Sequence, residues 1–223
     1  MTGTGDPDPP PELIARLAPL ATSTLANALD EVGLPDNVAA GVAAVAPGLR
    51  CAGPALTVKE VSGDFATFAS SDFKVGAVIE AARAGDVIVI DAGGARVSTW
   101  GGMASYAASL KGIAGLVVDG GVRDLEEIVE FGFAVFARHL VPTTGRTRLK
   151  VEAIGEPIEI GGVGVAPGDL VVADGTGVVC LPAPRAAEIV TLAERFATDD
   201  AAAMADLEAG MTFVEVMDKY RKI

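Results

Sequence analysis

The chain alternates short, uninterrupted apolar runs with stretches in which apolar residues recur every three or four positions. Val87-Ile88-Val89-Ile90 is a continuous β-branched run, the pattern of a strand buried on both faces. Gly115 to Asp119 and Ala134-Val135-Phe136-Ala137 repeat that pattern, and helical spacing fills the gaps between, from Gly101 to Lys111 and from Leu125 to Glu130. This β-α-β-α-β order predicts a parallel sheet with right-handed crossovers. Upstream, the spacing predicts helices over Leu13–Leu20, Thr24–Val32 (Ser23 as N-cap, Gly33 and Pro35 as the stop) and Gly76–Arg83, with a strand over Cys51–Val58. Beyond Leu149, short strands alternate with Gly and Pro turns: Lys150–Ile154, Pro157–Ile160, Val163–Val165, Leu170–Ala173 and Gly177–Leu181. A long helix over Pro184–Leu207 and a last one over Phe213–Tyr220 close the chain. Residues 1–12, rich in Gly, Pro and Asp, predict a disordered tail, and residues 13–223 a single domain.

Composition narrows the function. Half of the 223 residues are hydrophobic, ample for one core. Lys and Arg number 17 against 30 Asp and Glu, a net charge of -13, which argues against a nucleic-acid partner. An anionic substrate would be repelled at long range unless a cation or a local Arg reverses the field. Cys51 and Cys180 make no disulfide framework, and the single histidine, His139, excludes multi-histidine metal sites within one chain. No apolar run is long enough for a membrane span, and the N-terminus shows no signal region, so a cytoplasmic protein without a membrane partner is expected.

Two loops, 91–102 and 119–124, fall at the C-terminal ends of parallel strands, where open α/β sheets bind ligands. The first ends in Trp100-Gly101-Gly102-Met103 at a helix start. Its glycines either allow a tight turn or let an anion reach free amide groups. In the second, Arg123 offers a planar fork for a carboxylate. Asp124 is either the N-cap of the next helix or a hard ligand for a divalent ion. Asp174 before Gly175-Thr176-Gly177 reads as a turn former, Asp199-Asp200 as a solvated helix face, and His139 as structural or functional alike.

The stretch from Gly85 to Gly94, then Trp100-Gly101-Gly102-Met103, then Gly115 to Asp124, resembles the RraA-like family over roughly residues 20 to 215. That family includes the 4-hydroxy-4-methyl-2-oxoglutarate / 4-carboxy-4-hydroxy-2-oxoadipate aldolases and the regulator of ribonuclease activity A. Its aldolase signature is a Gly, twenty residues, Arg-Asp, two residues, then Glu or Asp, a spacing met by Gly102, Arg123, Asp124 and Glu127. Gly145-Arg146, Pro167-Gly168-Asp169 and Val171 to Asp174 fit as well. The resemblance implies an α/β/α sandwich of swivelling-domain type with a mixed, largely parallel central sheet, assembled as a homotrimer or hexamer. It implies a divalent-metal-dependent pyruvate aldolase acting on a small anionic 2-oxo acid, with oxaloacetate decarboxylation as a related activity. Asp124 would ligate Mg2+ or Mn2+, Arg123 would stabilise the enolate, and amides near Gly101, Gly102 and Met103 would bind the carboxylate. The family's aldolases complete the site with a Glu from a neighbouring subunit's last long helix, whose nearest counterpart here is Asp200, with Asp199 second.

The chain departs from the family at Gly102, where many relatives carry an acid, and after Asp174, where acids give way to Gly175 and Thr176. A non-catalytic regulator that binds a ribonuclease or another protein is the alternative that the resemblance allows. A methyltransferase is disfavoured, because Asp91-Ala92-Gly93-Gly94 lacks nucleoside-binding spacing.

Overall fold

The β-branched run at the centre of the sequence forms β3 (Val87–Asp91), and all five of its residues are buried. It lies between β2 (Cys51–Ser62) and β5 (Gly115–Val122), parallel to both. β6 (Val135–Leu140) extends the parallel set, and the three-residue β4 (Ser98–Trp100) pairs with the far end of β5. The computed structural model describes residues 9–220. Residues 1–8 of the expected tail therefore lie outside the described residues. Pro11 and Glu12 do not belong to a tail, because they open helix α1 (Pro11–Leu17), with Pro11 at a position where a missing amide costs nothing.

Antiparallel strands complete a nine-stranded sheet. β10 (Leu170–Ala173) joins β2 to β11 (Val178–Leu181), β7 (Leu149–Ile154) pairs with the second half of β2, and β1 (Ala43–Ala44) pairs with β6. Val38 bridges to Val179 in β11, and Ala43, five residues on, pairs with Ala137 in β6. One short segment thus spans the two ends of the strand order, and the sheet curls until it is nearly closed.

Alternate residues then face two different cores. Val87, Val89, Val117, Phe136, Val171 and Cys180 point inward, onto the hairpin of β8 (Ile158–Ile160) and β9 (Val163–Val165). Ile88, Ile90, Leu116 and Val118 point outward to helices α3 (Val75–Ala81), α4 (Gly102–Leu110) and α5 (Leu125–Glu130). Leu170, Val172, Val179 and Leu181 face α1, α2 (Thr22–Glu31) and α6 (Ala186–Glu208). Helices cover two sides of a mixed, largely parallel sheet, so the expected α/β/α layering holds around a curled sheet. α7 (Phe213–Lys219) packs on α6. No helix among the described residues is long and apolar enough to cross a membrane.

Several boundaries differ from the sequence pattern for identifiable reasons. Ser23 caps nothing: α2 begins at Thr22, whose amide and hydroxyl donate to Asp174 at 2.9 and 2.7 Å. Asp174 also accepts from Thr176 N at 2.9 Å, so it closes its own turn while capping a distant helix. Burial would raise its carboxyl; these bonds and the Arg50 charge prevail and hold it below the usual range. Residues 119–122, expected as loop, continue β5, because Gly120 and Gly121 leave room for close neighbours. A Cβ at Gly120 would lie 2.8 Å from Ala92 Cβ, and one at Gly121 would lie 2.6 Å from Val141 Cγ2.

Asp119 therefore sits inside the fold and not on a loop. Its carboxylate accepts from Arg138 Nε, from Arg138 Nη2 at 3.1 Å and from Gly161 N at 2.9 Å, tying the β8–β9 hairpin to the sheet. Burial pushes this carboxyl up, but the bonds from Arg138 and Gly161 and the Arg138 charge outweigh it, so it stays below its ordinary 3.8. A depressed carboxyl contributes stability above its unfolded value and loses it as pH falls. Asp119→Asn should lower the unfolding free energy at neutral pH by about 1–3 kcal/mol. The gap from the wild type, measured by urea unfolding, should close as pH falls below 3.8.

Candidate active site

The turn from β4 into α4 is pinned from below. The Trp100 ring is buried against Phe133, and its Nε1 donates to Ser105 Oγ at 3.0 Å. Ser105 Oγ in turn donates to Gly101 O at 3.0 Å, and Ser98 Oγ donates to Trp100 O at 2.7 Å. The loop after β6 holds the other edge, through Ser98 N to Thr143 O and Gly145 N to Ser98 O, both 2.8 Å. The start of α4 is therefore a fixed platform.

The turn from β5 into α5 lies directly on it. Asp124 has φ 59 and ψ 47, a left-handed conformation that costs a residue with a side chain about 1 kcal/mol. It occupies the N-cap position of α5, yet its side chain does not cap α5. It reaches across to accept from Gly102 N at 3.2 Å, at the start of α4. Arg123 N donates to Trp100 O at 3.0 Å, and Arg123 Nε lies 3.4 Å from Asp124 Oδ2. The glycines make this approach possible. A Cβ at Gly101 would overlap Asp124 Oδ2 and sit 3.1 Å from Arg123 Cγ. A Cβ at Gly102 would overlap Glu127 Oε2 and lie 2.6 Å from Glu127 Cβ. Gly102, Arg123, Asp124 and Glu127, spaced along the sequence, thus form one contact cluster.

A cavity of about 300 Å³ opens over this cluster. Gly101, Met103, Arg123 and Asp124 line one side, and both charged side chains remain partly exposed. Gly102 N is already engaged with Asp124, while Gly101 and Met103, the other two residues whose amides are expected to bind a carboxylate, line the cavity. Phe73, Val75, Ile79 and Thr144, also in the lining, carry no motif in the sequence. Thr99, also on the wall, donates to buried Glu60 at 2.6 Å. Burial pushes the Glu60 carboxyl up to about 7, against the opposing pull of that bond. Glu60 belongs to a charged pair, Lys59-Glu60, just past the strand predicted over Cys51–Val58, and carries no motif in the sequence.

Other candidates lie elsewhere within the single chain. Asp200 is not among its lining residues; α6 packs mainly on α2, α1 and α7. His139 Nε2 lies 3.2 Å from Gly94 O and tethers that loop. Lys59 pairs with Asp91 at 2.6 Å, and Lys111 donates to the end of α3 at Ile79 O and Glu80 O. Burial pushes the thiols of Cys51 and Cys180 up to about 12, which leaves neither as a nucleophile.

Comparisons with known proteins give the family. The family model "RraA-like: Aldolase/RraA" matches residues 22–180. The chain belongs to the RraA-like family. It is 32% identical over 192 residues to a Halalkalibacterium halodurans protein named "Putative 4-hydroxy-4-methyl-2-oxoglutarate aldolase", covering 86% of each chain. A Methanocaldococcus jannaschii relative is 35% identical over 144 residues, and there the match spans 62% of this chain and 64% of that protein. Among solved structures, a Pseudomonas syringae protein superposes with a TM-score of 0.88 at 28% identity, covering 98% of this chain and 99% of the other. Streptomyces coelicolor RraAS2, described as an unusual member of the RNase ES inhibitor RraA protein family, gives 0.79 at 30% identity, covering 90% and 99%.

Gly102→Ala should force Glu127 off the helix start and lower stability by about 1–3 kcal/mol. Gly76→Ala, on the same cavity with nothing within 4 Å of the added Cβ, should leave stability unchanged or raise it by up to about 1 kcal/mol. Thermal and urea unfolding of the two variants check the pair.

Proposed function

We propose that this RraA-like protein is a divalent-metal-dependent pyruvate lyase that cleaves a 4-hydroxy-2-oxo acid of the 4-hydroxy-4-methyl-2-oxoglutarate type. Decarboxylation of oxaloacetate would be a second outcome at the same site. The observation that carries this reading is Asp124, a strained, partly exposed carboxylate held beside Arg123 at the mouth of a helix start.

The donor set fits Mg2+ or Mn2+ bound together with substrate. Among the described residues no group of three or more His, Cys, Asp or Glu is placed to hold a metal. Magnesium is commonly held by one or two carboxylates, with waters and substrate oxygens filling the remaining positions. Asp124 would be the protein ligand, and the bound cation would supply positive charge beside the carboxylate and ketone oxygens of the 2-oxo acid.

The chain's own groups divide the remaining work. Met103 N–H holds the C1 carboxylate at the positive end of α4. In the cleavage the C4 hydroxyl gives up its proton to a water in the cavity and becomes the carbonyl of the leaving product, the C3–C4 bond breaks, and its electron pair moves through C2 onto the ketone oxygen. Arg123 stabilises that developing oxyanion. A proton delivered to C3 then yields pyruvate, and a carbonyl product leaves. Loss of carbon dioxide from oxaloacetate places the same charge on the same oxygen.

Exposed Met103, Tyr106 and Leu110 form an apolar face on α4 beside the cavity, which supports assembly as a homotrimer or hexamer. Asp200 of the partner subunit would complete the site. The free, buried cysteines fit a reducing, cytoplasmic setting. Likeness to RraAS2 favours one alternative, a regulator that binds a ribonuclease. Specific capture of a ribonuclease with no turnover of any oxo acid would establish it.

Asp124→Asn and Arg123→Ala should each reduce Mg2+-dependent pyruvate release by at least about 100-fold. Asp124→Asn keeps the side chain's shape and a residue that tolerates the left-handed turn, so its melting temperature should stay close to the wild type. Release that persists in EDTA, or in both variants, contradicts the assignment.

A further inference from the structure

Three hydroxyl residues, Ser98, Thr99 and Thr144, belong to the cavity lining. Ser98 Oγ donates to Trp100 O at 2.7 Å, and Thr144 Oγ1 accepts from Arg146 N at 3.2 Å. Thr99 is the one whose hydroxyl meets an acid, donating to Glu60 Oε1 at 2.6 Å. Strand pairing does not impose this contact, because β4 pairs with β5 while β2 pairs with β3, β7 and β10. Glu60 is 2% exposed, and its Oε2 is buried without a hydrogen-bond partner among the described residues. A buried carboxyl bonded at one oxygen alone is a cost to the fold, not a gain. Its charged neighbour Lys59 is taken up by Asp91 at 2.6 Å, and the β7 residue opposite Glu60 is Val151. A carboxyl that burial pushes up to about 7 can both take and return a proton at neutral pH.

We propose that Glu60, acting through the Thr99 hydroxyl, holds the proton of the reaction, taking it from the C4 hydroxyl in cleavage and returning it to C3. This rests on the pyruvate-lyase reading above. In the forward step a cavity water takes the C4 hydroxyl proton and passes one to Thr99 Oγ1, and Thr99 passes its own to Glu60. The C3–C4 bond breaks, the C4 oxygen becomes a carbonyl, and the electron pair reaches the C2 oxygen. The same path run backward delivers a proton to C3, the C2 ketone re-forms and pyruvate results, so no outside acid or base is consumed. Glu60 touches no substrate atom and is a positioning residue for the proton. Glu60 and Thr99 are both buried within one chain, so the relay is in place whatever the partner subunit adds to the site.

Three reactions of the full chain with Mg2+ separate this role from a structural one. Cleavage of 4-hydroxy-4-methyl-2-oxoglutarate and hydrogen–deuterium exchange at the pyruvate methyl group both need a proton acceptor. Loss of carbon dioxide from oxaloacetate needs none for its bond-breaking step. Glu60→Gln keeps an acceptor for the Thr99 hydroxyl but cannot hold the proton. It should cut cleavage and exchange by at least about 100-fold, while carbon dioxide release, each KM and the Tm stay close to the wild type. Thr99→Val should give the same split between reactions, and Thr99→Ser, which restores the hydroxyl, should recover what is lost. Cleavage and exchange that survive in Glu60→Gln overturn the relay and leave the lyase reading intact. Equal loss of all three reactions in Glu60→Gln marks a structural role and overturns the relay as well. Absence of all three in the wild type overturns both readings.

Discussion

The candidate site depends on one close approach. Two consecutive strand-to-helix turns lie face to face, with the start of α4 pressed against Arg123, Asp124 and Glu127. Gly101 and Gly102 permit it, because a side chain at either position would occupy the space of a carboxylate oxygen. The approach turns Asp124 away from its own helix and into a left-handed conformation. An aspartate that only capped α5 would have no reason to carry that strain or to reach for the neighbouring helix. Trp100 and Ser105 keep the platform from yielding under this load.

The acidic composition resolves into separate tasks. Asp119 with Arg138 and Asp91 with Lys59 hold the β8–β9 hairpin and the strand ends together. Asp174 caps a helix from across the sheet. These carboxylates are consumed by structure. Asp124 differs because it and its arginine partner both line a cavity. The distinction lies in where the hydrogen bonds go, which charge counts alone cannot reveal.

Much of the fold was legible because the strands β3, β5 and β6 are continuous apolar runs separated by helical spacing. The Gly102–Arg123–Asp124–Glu127 cluster was legible through its resemblance to the family's aldolase signature, while the residues alone left Asp124 open between a helix cap and a metal ligand. Less was visible where pairing is set by distant chain. β4 is only three residues and includes Ser98 and Thr99, held by β5 and by the 143–145 loop, so no local periodicity marks it. Residues 119–122 contain a glycine pair, and their strand pairing arises from neighbours that pack into the missing side chains. Phe73 and Val75 become cavity wall only through the placement of α3 against α4. The cap of α2 by Asp174 joins residues 152 positions apart, beyond any local rule.

The central claim is that this glycine-enabled contact builds a centre for pyruvate enolate chemistry. It is tested most directly by following hydrogen–deuterium exchange at the pyruvate methyl group by NMR, with the wild-type chain, Mg2+ and pyruvate alone. This needs no knowledge of the physiological substrate. The account predicts exchange well above the background of free Mg2+, abolished by EDTA and by Asp124→Asn. Exchange no faster than background, with the protein folded, would contradict it.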